Sequence, residues 1–431
     1  MTTPNQKEKP VRRRAEYLSK ARSISGYVAS KAIPGLAIFA ATPLWVAMFG
    51  FAEYAVYSMT WAYTLLASSI SSRWLAQGII RNSGDGERDW RSFPVWPEVL
   101  SAGVAGVLAV GMSTLTTVAT NSHVAVPLIV GAAVLAISST LYASEQAKYQ
   151  SDLRSGAIAT NEFLRTVGGV ALSLGIGVAN PNAGAAAIII ALAVSTVVAW
   201  IVQLSRRPRR LRKNSNAQLV GIYWSYGWPM IIWSAATTAV LYADRPILVY
   251  GLGAERAGAY AVVSDLLIRG FSLVVFPLTM YYHPLIMRIR NNDGILSADA
   301  AARRALRGFI PYSLILAIGS VAAVTFLAEH VGIRVSLSVW CVSFVALGAA
   351  AWQVAQMAHK SLEIIDATVK MALSAICAGV VTIGSQLILV NFFEETGVAA
   401  GFLAGAIVYI VMAQILGKKN IRAVTRGGSR D

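Results

Sequence analysis

The chain has 431 residues, of which 56% are hydrophobic and only 13% charged, and its mean hydropathy is +0.57. An ordinary soluble domain carries about 25% charged residues, so this composition excludes a string of soluble domains and points to the membrane. The net charge of +16 invites a nucleic-acid reading, but the basic residues flank apolar runs and no groove-reading motif accompanies them.

Residues 1–25 are polar and basic. They hold no short apolar core or small-residue cleavage site, so a basic segment on the membrane surface is expected rather than a cleaved signal. A span needs roughly 20 apolar residues. Runs of that kind predict spans near 26–49, 54–80, 98–119, 123–143, 157–179, 183–204, 218–245, 255–280, 308–328, 332–354, 367–390 and 395–416. The expected fold is thus an all-α polytopic membrane protein of about 12 transmembrane helices. Gly50, Asn121 and Asn180-Pro181-Asn182 suit tight turns between spans.

The loops alternate in charge. One set holds 30 of the 37 lysines and arginines, including the run 206–213, whereas the opposite set holds only Arg245, Arg256 and Arg334. Cytoplasmic loops carry the Lys/Arg excess, so both termini are expected in the cytoplasm. The run 206–213 is expected to touch anionic headgroups.

The halves echo each other. Pro34 and Ala40-Ala41-Thr42 in the first span recur as Pro229 and Ala235-Ala236-Thr237 in the seventh. Gly50 precedes Tyr57 by the interval that separates Gly253 from Tyr260, with Glu53 and Glu255 in the two gaps. Duplication predicts a six-helix lobe over 26–204, a basic linker over 205–217, a second lobe over 218–416 and a tail over 417–431. Repeated transporters commonly bind substrate between repeats near the midplane.

Charges inside spans are the candidate site. A charge at the bilayer centre costs ~2.5–3.5 kcal/mol even on lenient scales, so it needs a wet cavity or a partner. Asp265 and Arg269 lie two to three turns from either end of the eighth span, four residues apart and so on one face. They read either as an ion pair gluing helices or as a cavity-lining arginine oriented by Asp265. Lys31, Arg73, Glu162 and Arg165 lie in the inner parts of their spans, where snorkelling to the headgroups competes with a cavity role. Asp244-Arg245-Pro246 reads as a solvated loop start or an outer-cavity charge pair, with Pro246 favouring a kink. Tyr223, Trp224, Tyr226 and Trp228, and on the other side Tyr54, Tyr57 and Trp61, read as an interfacial belt or as sugar-stacking surfaces.

No phosphate-binding G-x-x-x-x-G-K-[ST] loop, H-E-x-x-H or G-x-S-x-G is present. Cys341 and Cys377 fall in apolar segments, and the four His are scattered, so neither a disulfide framework nor a metal is expected. No cofactor is expected. The short outer loops leave no room for an extracytoplasmic catalytic domain.

The stretch from Leu241-Tyr-Ala-Asp-Arg-Pro-Ile-Leu-Val-Tyr250 through Gly-Leu-Gly-Ala-Glu-Arg-Ala-Gly-Ala-Tyr260, continuing to Pro277 and Pro284, resembles the centre of Wzx-type polysaccharide-exporting flippases. The opening, from Lys31-Ala-Ile-Pro34 through Phe49-Gly-Phe-Ala-Glu-Tyr-Ala-Val-Tyr57 to Arg81, resembles the first two spans of that family. These belong to the multidrug/oligosaccharidyl-lipid/polysaccharide (MOP) exporter superfamily. The resemblance implies a MATE-like pair of six-helix lobes that alternates between inward- and outward-open states. It implies as cargo an oligosaccharide on undecaprenyl diphosphate, such as an O-antigen, capsule or exopolysaccharide repeat unit, crossing the bacterial inner membrane. It implies as partners that substrate, membrane lipids and the polysaccharide polymerase or export machinery, and it implies no enzyme. The family's cavity arginines would correspond to Arg73 and Arg269, with Lys31, Arg165 and Arg245 as further candidates. A cation-coupled drug exporter is the alternative, disfavoured by the lack of Asp or Glu within the first span. An intramembrane polysaccharide polymerase is a more distant one.

The charge asymmetry makes a direct prediction. A single cysteine at Ser122 should react with a membrane-impermeant reagent in intact cells, whereas one at Ser215 should not; labelling of position 215 from outside would reverse the orientation.

Overall fold

The computed structural model describes residues 8–82, 90–122, 125–152, 154–206, 216–331 and 337–427. The expected linker run 207–215 and the start of the tenth expected span, 332–336, lie outside them, as does the Lys31 side chain. The described residues are helical, in the order α1 (Glu8–Asn82), α2 (Trp96–Thr120), α3 (Ala125–Ser151), α4 (Ser155–Ala179), α5 (Gly184–Ser205), α6 (Gln218–Tyr242), α7 (Asp244–Leu252), α8 (Ala254–Asp293), α9 (Ile295–Val331), α10 (Val339–Ala358), α11 (Lys360–Glu363) and α12 (Thr368–Gly427). Short 3-10 turns at Trp90–Ser92 and Pro181–Ala183 join some of them.

Among the described residues, nine helical stretches are long and apolar enough to cross a membrane. Two are about twice the necessary length: Ala32–Asn82 with 51 residues and Thr368–Ala423 with 56. Each is broken once. Gly50 takes φ 83°, ψ 171°, and Glu394 takes φ 51°, ψ −132°. Across the first break Trp45 and Tyr57 meet edge to face at 5.2 Å, whereas twelve residues of straight helix would separate them by ~18 Å. Across the second, Gln386 Nε2 donates to the Val398 carbonyl at 3.3 Å and Gly401 lies against Gln386. Both long helices are therefore hairpins of two crossings. α6 with α7 forms one further crossing, its hydropathy lowered by its Trp, Tyr, Ser and Thr residues. Counting each hairpin as two, the described residues supply helix for the twelve expected crossings.

Element ends differ from expectation at several places. α3 runs two turns past residue 143, and α9 starts at Ile295 rather than near 308. The seventh crossing continues from 245 to Leu252. The helix does break where Pro246 lacks the amide that would bond the Tyr242 carbonyl, at the α6–α7 joint, but Ala243 keeps helical geometry and the chain goes on in the same direction.

α1–α5 pack on one another and α6–α12 on one another, and the two halves meet where α1 packs against α6 and α8. The cores interlock. Ala55 and Met59 of α1 sit in the apolar cluster of the second half, and Ala261 and Val262 of α8 sit in that of the first. The landmarks shared by the halves have matching geometry: Gly253, between α7 and α8, takes φ 87°, ψ 164°, close to the backbone of Gly50.

The seam between halves is closed near both ends by glycine. A Cβ on Gly258 would lie 1.8 Å from the Phe51 carbonyl oxygen, and one on Gly227 would lie 2.4 Å from that of Trp74. At the end poor in basic residues, Glu255 accepts the Ala52 amide at 3.2 Å and Glu53 accepts that of Ala185 at 2.7 Å. At the basic end, Arg81 reaches Asp366 at 3.2 Å and the Asn216 amide donates to the Ser92 carbonyl at 2.9 Å.

Gly258→Ala is expected to destabilise the folded protein by ~1–3 kcal/mol through overpacking. Gly103→Ala, which opens onto free space, should be neutral or stabilising by ~0.5–1 kcal/mol. Thermal unfolding in detergent compares them.

Candidate functional site

The deepest charges of the structure gather at the seam. Arg245 is the largest polar side chain among those fully enclosed, at 1% exposure. Its position follows from the continuation of the seventh crossing through α7, which carries residue 245 into the interior. Its guanidinium donates through Nη1 to Asp244 Oδ2 at 2.6 Å, through Nε to Ser58 Oγ at 2.9 Å and through Nη2 to Asp265 Oδ1 at 2.8 Å. Ser264 Oγ lies at 3.5 Å from the same Nη2. The rings of Tyr242 and Tyr260 flank it at 5.8 and 5.9 Å. The second oxygen of Asp265, Oδ2, accepts from the Tyr54 hydroxyl at 2.7 Å.

This cluster keeps the expected pair as a long ion pair and adds closer partners to it. Asp265 and Arg269 do share a face of α8, but Arg269 Nη2 stands 3.9 Å from Asp265, outside hydrogen-bond range. Asp265 is held first by Arg245 and Tyr54. Asp244-Arg245 is neither a solvated loop start nor an open outer pair, since both residues are buried. Tyr54 and Tyr57 leave the expected aromatic belt too. Both are 1% exposed, and they pack edge to face at 5.4 Å. Ser58 of α1 and Ser264 of α8 carry no sequence signal that marks them, and Tyr54 is marked only as an aromatic. Two aspartates and two arginines make the cluster neutral overall. Its bonds join α1 to α7 and α8, so it ties the halves together.

The other candidates sit apart from it. Arg165 is paired with Glu162 of its own helix at 2.9 Å, while Gln146 of α3 donates to the other Glu162 oxygen at 2.7 Å and the Tyr142 ring lies 5.2 Å from the guanidinium. Arg73, on the second crossing and half-buried, has no ion pair among the described residues, and its buried Nε has no hydrogen-bond partner there. Of the arginines flagged in the spans, Arg165, Arg245 and Arg269 each have a carboxylate within 4 Å, and among the described residues Arg73 has none. Tyr223 is buried and stacks on Phe93 at 4.8 Å, whereas Trp224 and Trp228 remain exposed as a belt would require. Among the described residues no group of three His, Cys, Asp or Glu is placed to hold a metal ion.

At the rim of the end poor in basic residues, Arg256 grips Glu394 and Glu395 of the α12 bend at 2.5 Å each. These hydrogen bonds hold the Glu394 carboxyl below its ordinary range. The pair is exposed, so it contributes little to stability.

The cluster has a clear energetic signature. Arg245→Ala would leave two buried carboxylates facing each other, a loss expected at ~3–5 kcal/mol. Tyr54→Phe should cost ~1–2 kcal/mol, the value of a hydrogen bond to a charged group. Arg73→Ala should cost nothing in thermal stability, because it removes a cation without a partner; a large loss on Arg73→Ala would contradict its assignment as unpaired.

A family model described as "Polysaccharide biosynthesis protein" matches residues 48–331. No curated protein matches the sequence. Among solved structures, the chain is similar to a crystal structure of a MATE variant, with TM-score 0.66 and 13% identity over 94% of this chain and 96% of that one. It is similar to a MOP superfamily transporter from Pyrococcus furiosus, whose title reports a reversed polarity of the binding pocket, with TM-score 0.64 and 14% identity over 94% and 96%. It is also similar to the lipid II flippase MurJ in an inward closed conformation, with TM-score 0.66 and 12% identity over 90% and 87%. At these identities the likeness establishes the fold, which is that of the MOP superfamily transporters.

Proposed function

The chain belongs to the polysaccharide biosynthesis protein family, and on that premise we propose that it carries undecaprenyl-diphosphate-linked oligosaccharide from the cytoplasmic to the outer leaflet of the bacterial inner membrane by alternating access. It performs no bond chemistry. The basic loops face the cytoplasm, as the Lys/Arg asymmetry favours. The seam between halves opens first at that end and then at the other, presenting one site to each face in turn.

The observation that carries the reading is Arg73. A guanidinium half-buried in a span with no carboxylate partner among the described residues is costly unless an anion arrives to meet it. The cluster around Arg245 is charge-balanced and holds the halves together. The Arg165–Glu162 pair is likewise compensated. A diphosphate suits the vacancy left by Arg73's missing partner, because guanidinium binds phosphate oxygens through paired charge-assisted hydrogen bonds. The polyprenyl tail stays in the bilayer beside the halves while the head group passes. The MATE-like fold alone is compatible with cationic drugs, but such cargo calls for acidic groups, and the uncompensated one here is basic.

In cells lacking the chromosomal copy, Arg73→Ala expressed to the wild-type level should restore surface polysaccharide to less than about a tenth of normal, since losing a charge-assisted bidentate contact costs ~1.5–3 kcal/mol. Arg73→Lys should restore it partly, because a point charge cannot reproduce the fork. Full restoration by Arg73→Ala would remove Arg73 from the transport path.

A further inference from the structure

The connector between α10 and α12 carries two features that the transport reading leaves unused. One is His359, at the end of α10 and 2% exposed. Its Nε2 lies 3.0 Å from Glu363 Oε1 and its Nδ1 lies 3.2 Å from the Tyr409 hydroxyl of α12. The Tyr409 oxygen accepts from Trp233 Nε1 of α6 at 2.8 Å. The other feature is Asp366, seven residues on, in left-handed backbone at φ 52°. It reaches Arg81 of α1 at 3.2 Å and Arg290 of α8 at 2.9 Å. The Arg81 contact crosses the seam at the basic end.

We assign the ring's state from its two partners, Glu363 at Nε2 and Tyr409 at Nδ1. Trp233 can only donate, so the Tyr409 oxygen is an acceptor there and its single O–H points to His359. Nδ1 is then a bare acceptor, and the Nε2 hydrogen goes to Glu363. The imidazole is neutral in this conformation. A proton on Nδ1 converts that acceptor into a donor. The Tyr409 hydroxyl would lose its partner in a buried place, which costs ~1–3 kcal/mol. The charged groups around the ring resist the proton or receive it. Lys360 bonds Glu363 at 2.6 Å, and His283 of α8 lies 3.3 Å from the same carboxylate. On the far side of the connector, Ser361 donates to Asp299 of α9 at 2.7 Å, and Arg303 neutralises that aspartate at 2.6 Å. Glu363 and His283 are partly exposed, at 22% and 46%, so a proton from the basic side has a route to His359.

We propose that His359 is a proton-binding site and that its protonation releases the Asp366–Arg81 latch, opening the seam at the basic end. The chain of consequence is short. Protonation breaks the Trp233–Tyr409–His359 chain and pushes the start of the connector from α12. The connector is short, residues 359–367, and its other end holds the latch. The ion pair across the seam is half-exposed and therefore weak, so a modest displacement suffices to part it. The proposal rests on the alternating-access reading but not on the identity of the cargo.

Spin labels at Gln150 and Asn292, both exposed at the basic ends of the two halves, read the opening directly. The labelled protein, with Cys341 and Cys377 replaced by Ala, is placed in lipid nanodiscs without cargo, and distances are measured from about pH 8 to about pH 5.5, across the imidazole range. The ratio of long to short distances should rise roughly tenfold on acidification in the parent protein. His359→Gln, which cannot titrate, should abolish the rise. Tyr409→Phe should blunt it, because no hydroxyl is then orphaned. Asp366→Asn should give long distances at both pH values. A pH response that survives in His359→Gln overturns the proposal, as does one lost only in His283→Gln. Short distances at all pH values in Asp366→Asn overturn the latch. The distances are independent of any polysaccharide, so they fail separately from the transport reading.

Discussion

A charge in the interior of a membrane protein is costly without a partner, and the Arg245 knot is how this fold meets most of that cost. One guanidinium, 1% exposed, bonds two aspartates and two serines from three helices. Tyr54 completes Asp265 from the opposite half. In a medium of low dielectric each of these bonds is stronger than at a surface, and each missing one is costlier. The closed seam depends on it. Gly258 and Gly227 let the backbones of the two halves touch, but glycine contacts alone give little energy, and the polar knot fixes their register.

The same constraint sorts the charges by purpose. Arg245, Arg269 and Arg165 all have carboxylates nearby, so they read as structure first. Arg73 stands without one among the described residues, and so reads as a receptor for charge that arrives from outside. Among the described residues, Arg73 is the flagged arginine of the spans left without a carboxylate, and the proposed anionic cargo would supply its partner. A chain built for cationic drugs would leave a carboxylate instead.

The crossings were legible because each span announces itself as an apolar run of the necessary length, and the breaks at Gly50 and Gly253 because only turn-forming residues interrupt those runs. The break at Glu394 was expected only as a gap between spans, since nothing local marks a glutamate for left-handed backbone. The extra length of α3 and α9 was missed because helix continues into water without apolar residues. At the site, helical spacing pointed to Asp265 and Arg269, but spacing sees one helix only. The closer cationic partner of Asp265 comes from α7, and its hydroxyl donor lies 211 residues away. Arg73 and Arg165 look alike in the sequence as basic residues in inner half-spans; what separates them is the reach of Glu162 to the Arg165 guanidinium, which is a matter of side-chain geometry.

The central claim is that a lipid-linked oligosaccharide changes leaflet on this protein. The most direct measurement is the sidedness of that lipid in cells from which the protein has been removed, probed with a membrane-impermeant glycosidase or lectin. The account predicts that the lipid-linked repeat unit accumulates on the cytoplasmic leaflet, out of reach of the probe. Units that reach the outer leaflet normally but remain unpolymerised would contradict it and favour a polymerase.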